Sequence, residues 1–130
     1  MKASGTFRVT ISPLDYSYQP KNNEVQFGRL SIDKTFEGPL KASSKGEMLS
    51  ARSAYPGKAG YVAIEYVEGT LNDEEGGFAL QHFGTMDGEE NRLILEVVPG
   101  SGSGSLKSIS GHMHINISEG KHFYEFDYSL

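Results

Sequence analysis

The sequence predicts an all-β fold, a closed antiparallel barrel of about eight strands. Three observations predict it. Apolar and polar residues alternate at period two along most of the chain, and no window of useful length reads at helical period. Glycine is abundant, 16 of 130 residues, where about 7% is usual, and each glycine inside a helix costs about 1 kcal/mol relative to alanine. The strand-like segments are joined mostly by hairpin-length turns, with no helix to cover a sheet. Such a sheet hides its edges by closing on itself. A two-sheet sandwich is the alternative. The length suits one domain, residues 1–130.

The first strand alternates Phe7, Val9 and Ile11 with Thr6, Arg8 and Thr10, and ends at Ser12-Pro13. Residues 13–26 carry Pro13, Pro20 and Asn22-Asn23 and read as a long surface loop, anchored by Tyr16 and Tyr18. Leu30, Ile32 and Phe36 mark a second strand, and Glu37-Gly38-Pro39 a turn. Residues 40–51 form a weaker third strand, interrupted by Gly46, and residues 54–58 a loop around Pro56-Gly57. Residues 60–71 are the strongest strand. Tyr61, Ala63, Glu65, Val67 and Leu71 share one face, and Val62, Ile64 and Tyr66 the other. With both faces apolar, both are expected to be buried.

Residues 72–77 read as a turn, 78–86 as a returning strand and 87–91 as a further turn. Leu93 to Val98 alternate as the next strand, followed by Pro99 and the Gly-Ser stretch 100–105. Residues 111–118 and 121–128 form a hairpin around Glu119-Gly120. Its register follows from the side chains. Pairing Ile117 with His122, Ile115 with Tyr124 and Met113 with Phe126 collects one apolar face, whereas a one-residue slip mixes the two.

Composition excludes several functions. The net charge is −5, and the 12 Lys and Arg are scattered, so no run neutralises successive phosphates of a nucleic acid. No stretch approaches the ~20 apolar residues of a membrane-spanning helix. The absence of cysteine removes disulfides, thiolate metal sites and a Cys nucleophile. No apolar signal segment follows Met1, so a cytoplasmic location is expected.

Glu65 and His82 stand out because each lies among apolar residues of its own face. With Leu71 paired to Phe78, the two become diagonal neighbours on adjacent strands. Inside a barrel they form a polar handle in an apolar pocket, fit for acid and base roles. The competing reading is a structural hydrogen bond. Glu47 and Glu96 are further candidates for the same interior. His112 and His114, with Glu119 five residues on, partly match the His-x-His-x4-Glu metal motif of cupins. Leu106 stands where that motif has glycine, and cross-strand Glu125 and Asp127 are better-placed partners. A solvated charged face explains the same residues. The Gly100–Ser108 run lacks the spacing of a phosphate loop and reads as a connection. Phe123, Tyr124, Phe126 and Tyr128 read as core and interface, since Glu125 and Asp127 would repel a phosphate backbone.

Several motifs occur in order: Gly46-Glu47-Met48, Gly60-Tyr61-Val62-Ala63-Ile64-Glu65, Gly69-Thr70-Leu71 and Gly77-Phe78-Ala79-Leu80-Gln81-His82. Pro99–Leu106, Ile109-Ser110-Gly111 and Gly120–Phe126 follow. The set resembles the bacterial domain of unknown function 3224 family, from about residue 5 to the end. The resemblance implies a barrel similar to allene oxide cyclase, related to lipocalin-type barrels, and makes the Gly-Ser stretch family sequence. It implies no cyclase activity. It points to Glu47, Glu65, Gln81, His82, His122 and Tyr124 as polar pocket positions.

The leading functional expectation is a protein that binds a small, mostly apolar molecule in the barrel. A cofactor-free isomerase or cyclase using Glu65 as base and His82 as acid comes second, and a cupin-like metal protein third. No cofactor is implied. The doubly apolar strand also predicts a homodimer, because another subunit is the simplest cover for its outer face.

Overall fold

Period-two alternation becomes nine strands and, among the described residues, no helix. The computed structural model describes residues 1–22 and 24–130; Asn23, inside the predicted 13–26 loop, lies outside the described residues. The strands are β1 (Lys2–Leu14), β2 (Val25–Glu37), β3 (Leu40–Ser53), β4 (Lys58–Leu71), β5 (Glu74–Asp87), β6 (Glu90–Val97), β7 (Ser103–Gly104), β8 (Ser110–Ser118) and β9 (Lys121–Ser129). Every pairing is antiparallel. The order β4-β3-β2-β1-β9-β8-β6-β5 closes when β5 pairs back onto β4, giving an eight-stranded barrel. The short β7 is an extra strand on Gly76 and Gly77 of β5.

The turns set the registers. Asn72 and Asp73 both have positive φ, 48° and 67°, the geometry of a two-residue type I′ hairpin. The predicted turn at 72–77 therefore shrinks to two residues, and β5 begins at Glu74. This moves the β4–β5 register from the expected one: Leu71 faces Glu74, Val67 faces Phe78 and Glu65 faces Leu80. Glu119 and Gly120, at φ 52° and 79°, make the same kind of turn. There the β8–β9 register is the predicted one, with Met113 opposite Phe126 and Ile117 opposite His122.

One end of the barrel is plugged. Phe7, Phe36, Phe78, Tyr124, Phe126 and Tyr128 are buried there with Leu40 and Leu71. The Tyr124 ring meets Phe36 edge-on at 5.7 Å, and Phe78 stacks on Phe126 at 5.5 Å. Gly5 lies beneath the Tyr124 ring, where any Cβ would collide with it. The Gly-Ser connection is ordered across this end. Ser101 accepts a hydrogen bond from the Ala79 amide and Ser103 one from the Gly77 amide, and Leu106 and Ile109 are buried beneath.

The opposite end is open. Ile11, Leu93 and Ile117 share the inward face by register, yet Ile11 is 48% and Ile117 63% exposed. Val9, Leu30, Met48, Tyr61, Ile115 and His122 are half-buried below them. The wall is also thinner here. The β6–β8 ladder consists of Glu96 opposite His112, and β1 pairs β9 over residues 2–7. Residues 90–95 of β6 and 8–14 of β1 thus have no partner on that edge among the described residues.

Within the single chain, one of the two apolar faces of residues 61–67 is buried. Ala63, Glu65 and Val67 are buried, but Val62 is 48% and Ile64 57% exposed. A barrel wall is one sheet thick, so alternate residues alone have an interior to enter. Tyr16 and Tyr18 anchor their loop as expected, packing on Phe27 at 5.5 and 6.1 Å. Gln19 clamps both the amide and carbonyl of Phe27.

Candidate functional site

Midway along the interior lies a buried polar cluster centred on Glu65. The residue opposite it on β3 is Gly46, and its diagonal neighbours are Ser44 on β3 and His82 on β5. A Cβ at Gly46 would run into the backbone of Ile64 and Glu65. The missing side chain lets β3 and β4 approach closely at that point. Ser44 Oγ donates to Glu65 Oε1 at 2.7 Å. Lys34 Nζ, from β2, donates to Oε2 at 2.9 Å, and His82 Nε2 lies 2.5 Å from the same oxygen. Lys34 Nζ also sits over the Phe7 ring, 5.0 Å from its centroid. Glu65 is fully buried, and Lys34, Ser44 and His82 nearly so.

The electrostatics decide what Glu65 can do. Burial alone pushes its carboxyl up. The hydrogen bond from His82, the charges of Lys34 and His82, and the Lys34 hydrogen bond outweigh burial and hold it at about 2. It is therefore an ionised acceptor with both oxygens engaged. An ionised carboxylate has no proton to give, so His82 Nε2 carries the shared one. His82 Nδ1 has no hydrogen-bond partner among the described residues, and no described buried side-chain nitrogen or oxygen is left unpaired, so Nδ1 is not sealed from solvent. The half-buried Tyr61 stands beside the imidazole, ring centroids 6.3 Å apart. Burial, then the Glu65 charge, raises its phenol above the ordinary value. It remains a hydrogen-bond donor at neutral pH.

This arrangement sets an acid limit on stability. The folded carboxyl at about 2 lies below its ordinary value of 4.5. The stabilisation from the ion cluster is complete above the ordinary value and is lost as pH falls toward the folded one. Urea midpoints are expected to drop between pH 4.5 and pH 2 in the wild type and to flatten in Glu65→Gln. Parallel pH profiles for the two proteins would contradict this assignment.

The structure brings Glu65 and His82 together and disperses the other site residues named from sequence. Glu47 points outward and forms a two-bond ion pair with Arg29, at 2.7 and 3.1 Å, where both are exposed. Gln81 also faces outward, and Glu96 lies on the outer face beside His112. Glu47 and Glu96 thus do not join the interior. Glu47 and Gln81 instead border an external groove of about 460 Å³ with Leu49, Val62, Ile64 and Phe83, along which Ala63 and His82 also lie. His122 packs on Phe7 near the open end, ring centroids 5.1 Å apart. Tyr124 is buried at the plugged end, where its hydroxyl accepts from the Leu40 amide and donates to the Glu37 carbonyl. His112 and His114 share an outer face, rings 5.2 Å apart, across from Asp127 and Glu125. Among the described residues, no three His, Asp or Glu side chains converge as a metal centre. Lys34 and Ser44 were missed from sequence. The signal was there: each occupies an inward parity position among apolar residues, as Glu65 does.

A family model described as protein of unknown function, DUF3224, matches residues 3–128. The chain belongs to the DUF3224 family. A crystal structure of another DUF3224 protein of unknown function, from Shewanella oneidensis MR-1 at 1.84 Å resolution, is 49% identical with a TM-score of 0.95. The match covers 100% of this chain and 97% of that one, so the barrel described above is also that DUF3224 protein's fold. No curated protein matches this DUF3224 chain. Among its described residues, no helix is long and apolar enough to cross a membrane.

Proposed function

We propose that the open end of the barrel binds a small, mostly apolar molecule, with Tyr61 and His82 meeting its polar group. One observation carries this reading. Inward-facing apolar side chains stay exposed at that end, above a buried polar cluster, while the other end is packed shut. The interior of an eight-stranded barrel is either filled by side chains or holds one small ligand, and here the filling stops at the Glu65 cluster. Ligand pockets typically pair apolar walls with a few convergent polar groups. The lack of cysteine suits a cytoplasmic protein.

Native mass spectrometry of the protein purified from its own host tests the reading. Wild type is expected to carry bound mass. Met48→Trp, which fills the mouth opposite Ala63, is expected to lose it while keeping its circular dichroism spectrum. An empty wild type, or equal mass on both proteins, would count against binding in the mouth.

A second reading, cofactor-free proton transfer on the bound molecule, is favoured by the 2.5 Å contact between His82 and Glu65. In it His82 acts as the neutral imidazole, with Nε2–H held by Glu65 and Nδ1 the proton acceptor. Glu65, already hydrogen-bonded at both oxygens, is a positioning residue rather than the base. Conversion of the recovered molecule to an isomer by wild type, lost in His82→Gln with binding retained, would support this reading. Conversion unaffected by His82→Gln would remove it.

A further inference from the structure

The outside of the barrel is divided into a polar and an apolar sector. Outward positions of β1 are Lys2, Ser4, Thr6, Arg8, Thr10 and Ser12, and those of β8 are Ser110, His112, His114, Asn116 and Ser118. The opposite wall differs. Leu49, Val62, Phe83 and Ile94 face one another in register across β3, β4, β5 and β6, each about two-fifths to one-half exposed. Ile64 and Tyr66 extend this row along β4. These six apolar side chains, 39–57% exposed, form one continuous row, and a contiguous exposed apolar patch marks an interaction site.

We infer that a second copy of this chain covers the apolar wall of β3–β6. The unbroken apolar row across four strands is the first argument, and charge the second. The Arg29–Glu47 pair borders the patch on the β2–β3 side, and Arg92 and Glu96 border it on β6, with Arg92 lying over the Phe83 ring. Each border carries both signs, so the patch is locally neutral on a chain of net charge −5. A rim of a single sign would repel its own copy, whereas a mixed rim permits an isologous contact. A nucleic acid or an anionic membrane would call for a cationic rim. The strand edge of β6 at residues 90–95, open along its β8 side, adjoins the patch at Ile94.

Sedimentation velocity with light scattering tests the inference. Wild type is expected to run well above its monomer mass of 14.2 kDa. Ile64→Lys/Phe83→Glu is expected to run as a monomer at concentrations where wild type is assembled. Both changes are outward, so its circular dichroism spectrum should be unchanged. If that variant does not fold, Leu49→Lys at the border of the patch is expected to weaken assembly at least tenfold. A monomeric wild type, or an assembly indifferent to the folded variants, would overturn the inference.

Discussion

Replacing Glu65 with glutamine is expected to destabilise the barrel by about 3–5 kcal/mol, the usual effect of removing one partner of a buried ion pair. Glutamine fits the space but leaves the Lys34 ammonium buried without its counter-charge, beneath the phenyl rings of Phe7 and Phe36. Equilibrium urea denaturation at pH 7 measures the effect, and a loss under about 1 kcal/mol would contradict it. The informative companion is Lys34→Met/Glu65→Leu/His82→Phe. Removing all the charges together is expected to be neutral or stabilising by about 1–4 kcal/mol, because the desolvation penalty disappears with them. A stable triple variant that binds nothing would separate the two roles of the cluster. It would show that the charges serve the site rather than the fold.

The second large effect lies at the plugged end. Phe36→Ala is expected to cost about 3–5 kcal/mol, through lost transfer energy and the cavity left among neighbours that cannot close over it. Phe36 is wholly buried, touching Phe7 at 5.5 Å and Tyr124 at 5.7 Å between ring centroids. Ile117→Ala at the open end removes an inward-facing side chain that is largely exposed. It should change stability by less than about 0.5 kcal/mol. Urea denaturation of the pair reads out the asymmetry of the barrel. Equal costs at the two ends would remove the distinction between plug and mouth.

Most of the fold is legible in the alternation of side chains. The β8–β9 register follows from keeping Met113, Ile115 and Ile117 on the face of Phe126, Tyr124 and His122, and the structure has that register. The β4–β5 register was less legible, because Asn72-Asp73 lies inside a longer run of turn-forming residues, and apolar parity survives any even shift, here one of four residues from Phe78 to Glu74 opposite Leu71. The contact of Glu65 with His82 was nonetheless readable, since the expected and the observed registers both make them diagonal neighbours. Lys34 and Ser44 share the inward parity of Glu65, but the β2–β3–β4 register that sets Lys34 opposite Ser44 and Gly46 opposite Glu65 is what brings them to it, and alternation alone does not give that register. Tyr124 shows the converse. A conspicuous polar side chain in a family motif has its hydroxyl bound up with the backbone at Leu40 and Glu37. The excess of glycine also resolves in physical terms. Gly5 and Gly46 make room for an aromatic ring and for close strand approach, and Gly88 and Gly120 turn hairpins at positive φ.

The central claim is that the open end of the barrel, floored by the Glu65 cluster, is the working site. A crystal structure of the protein purified from its own host, without added ligand, tests it most directly. The expected result is non-protein density among Met48, Tyr61 and Ile115, in contact with His82. An empty mouth with density confined to the outer groove of Leu49, Val62 and Phe83 would contradict it.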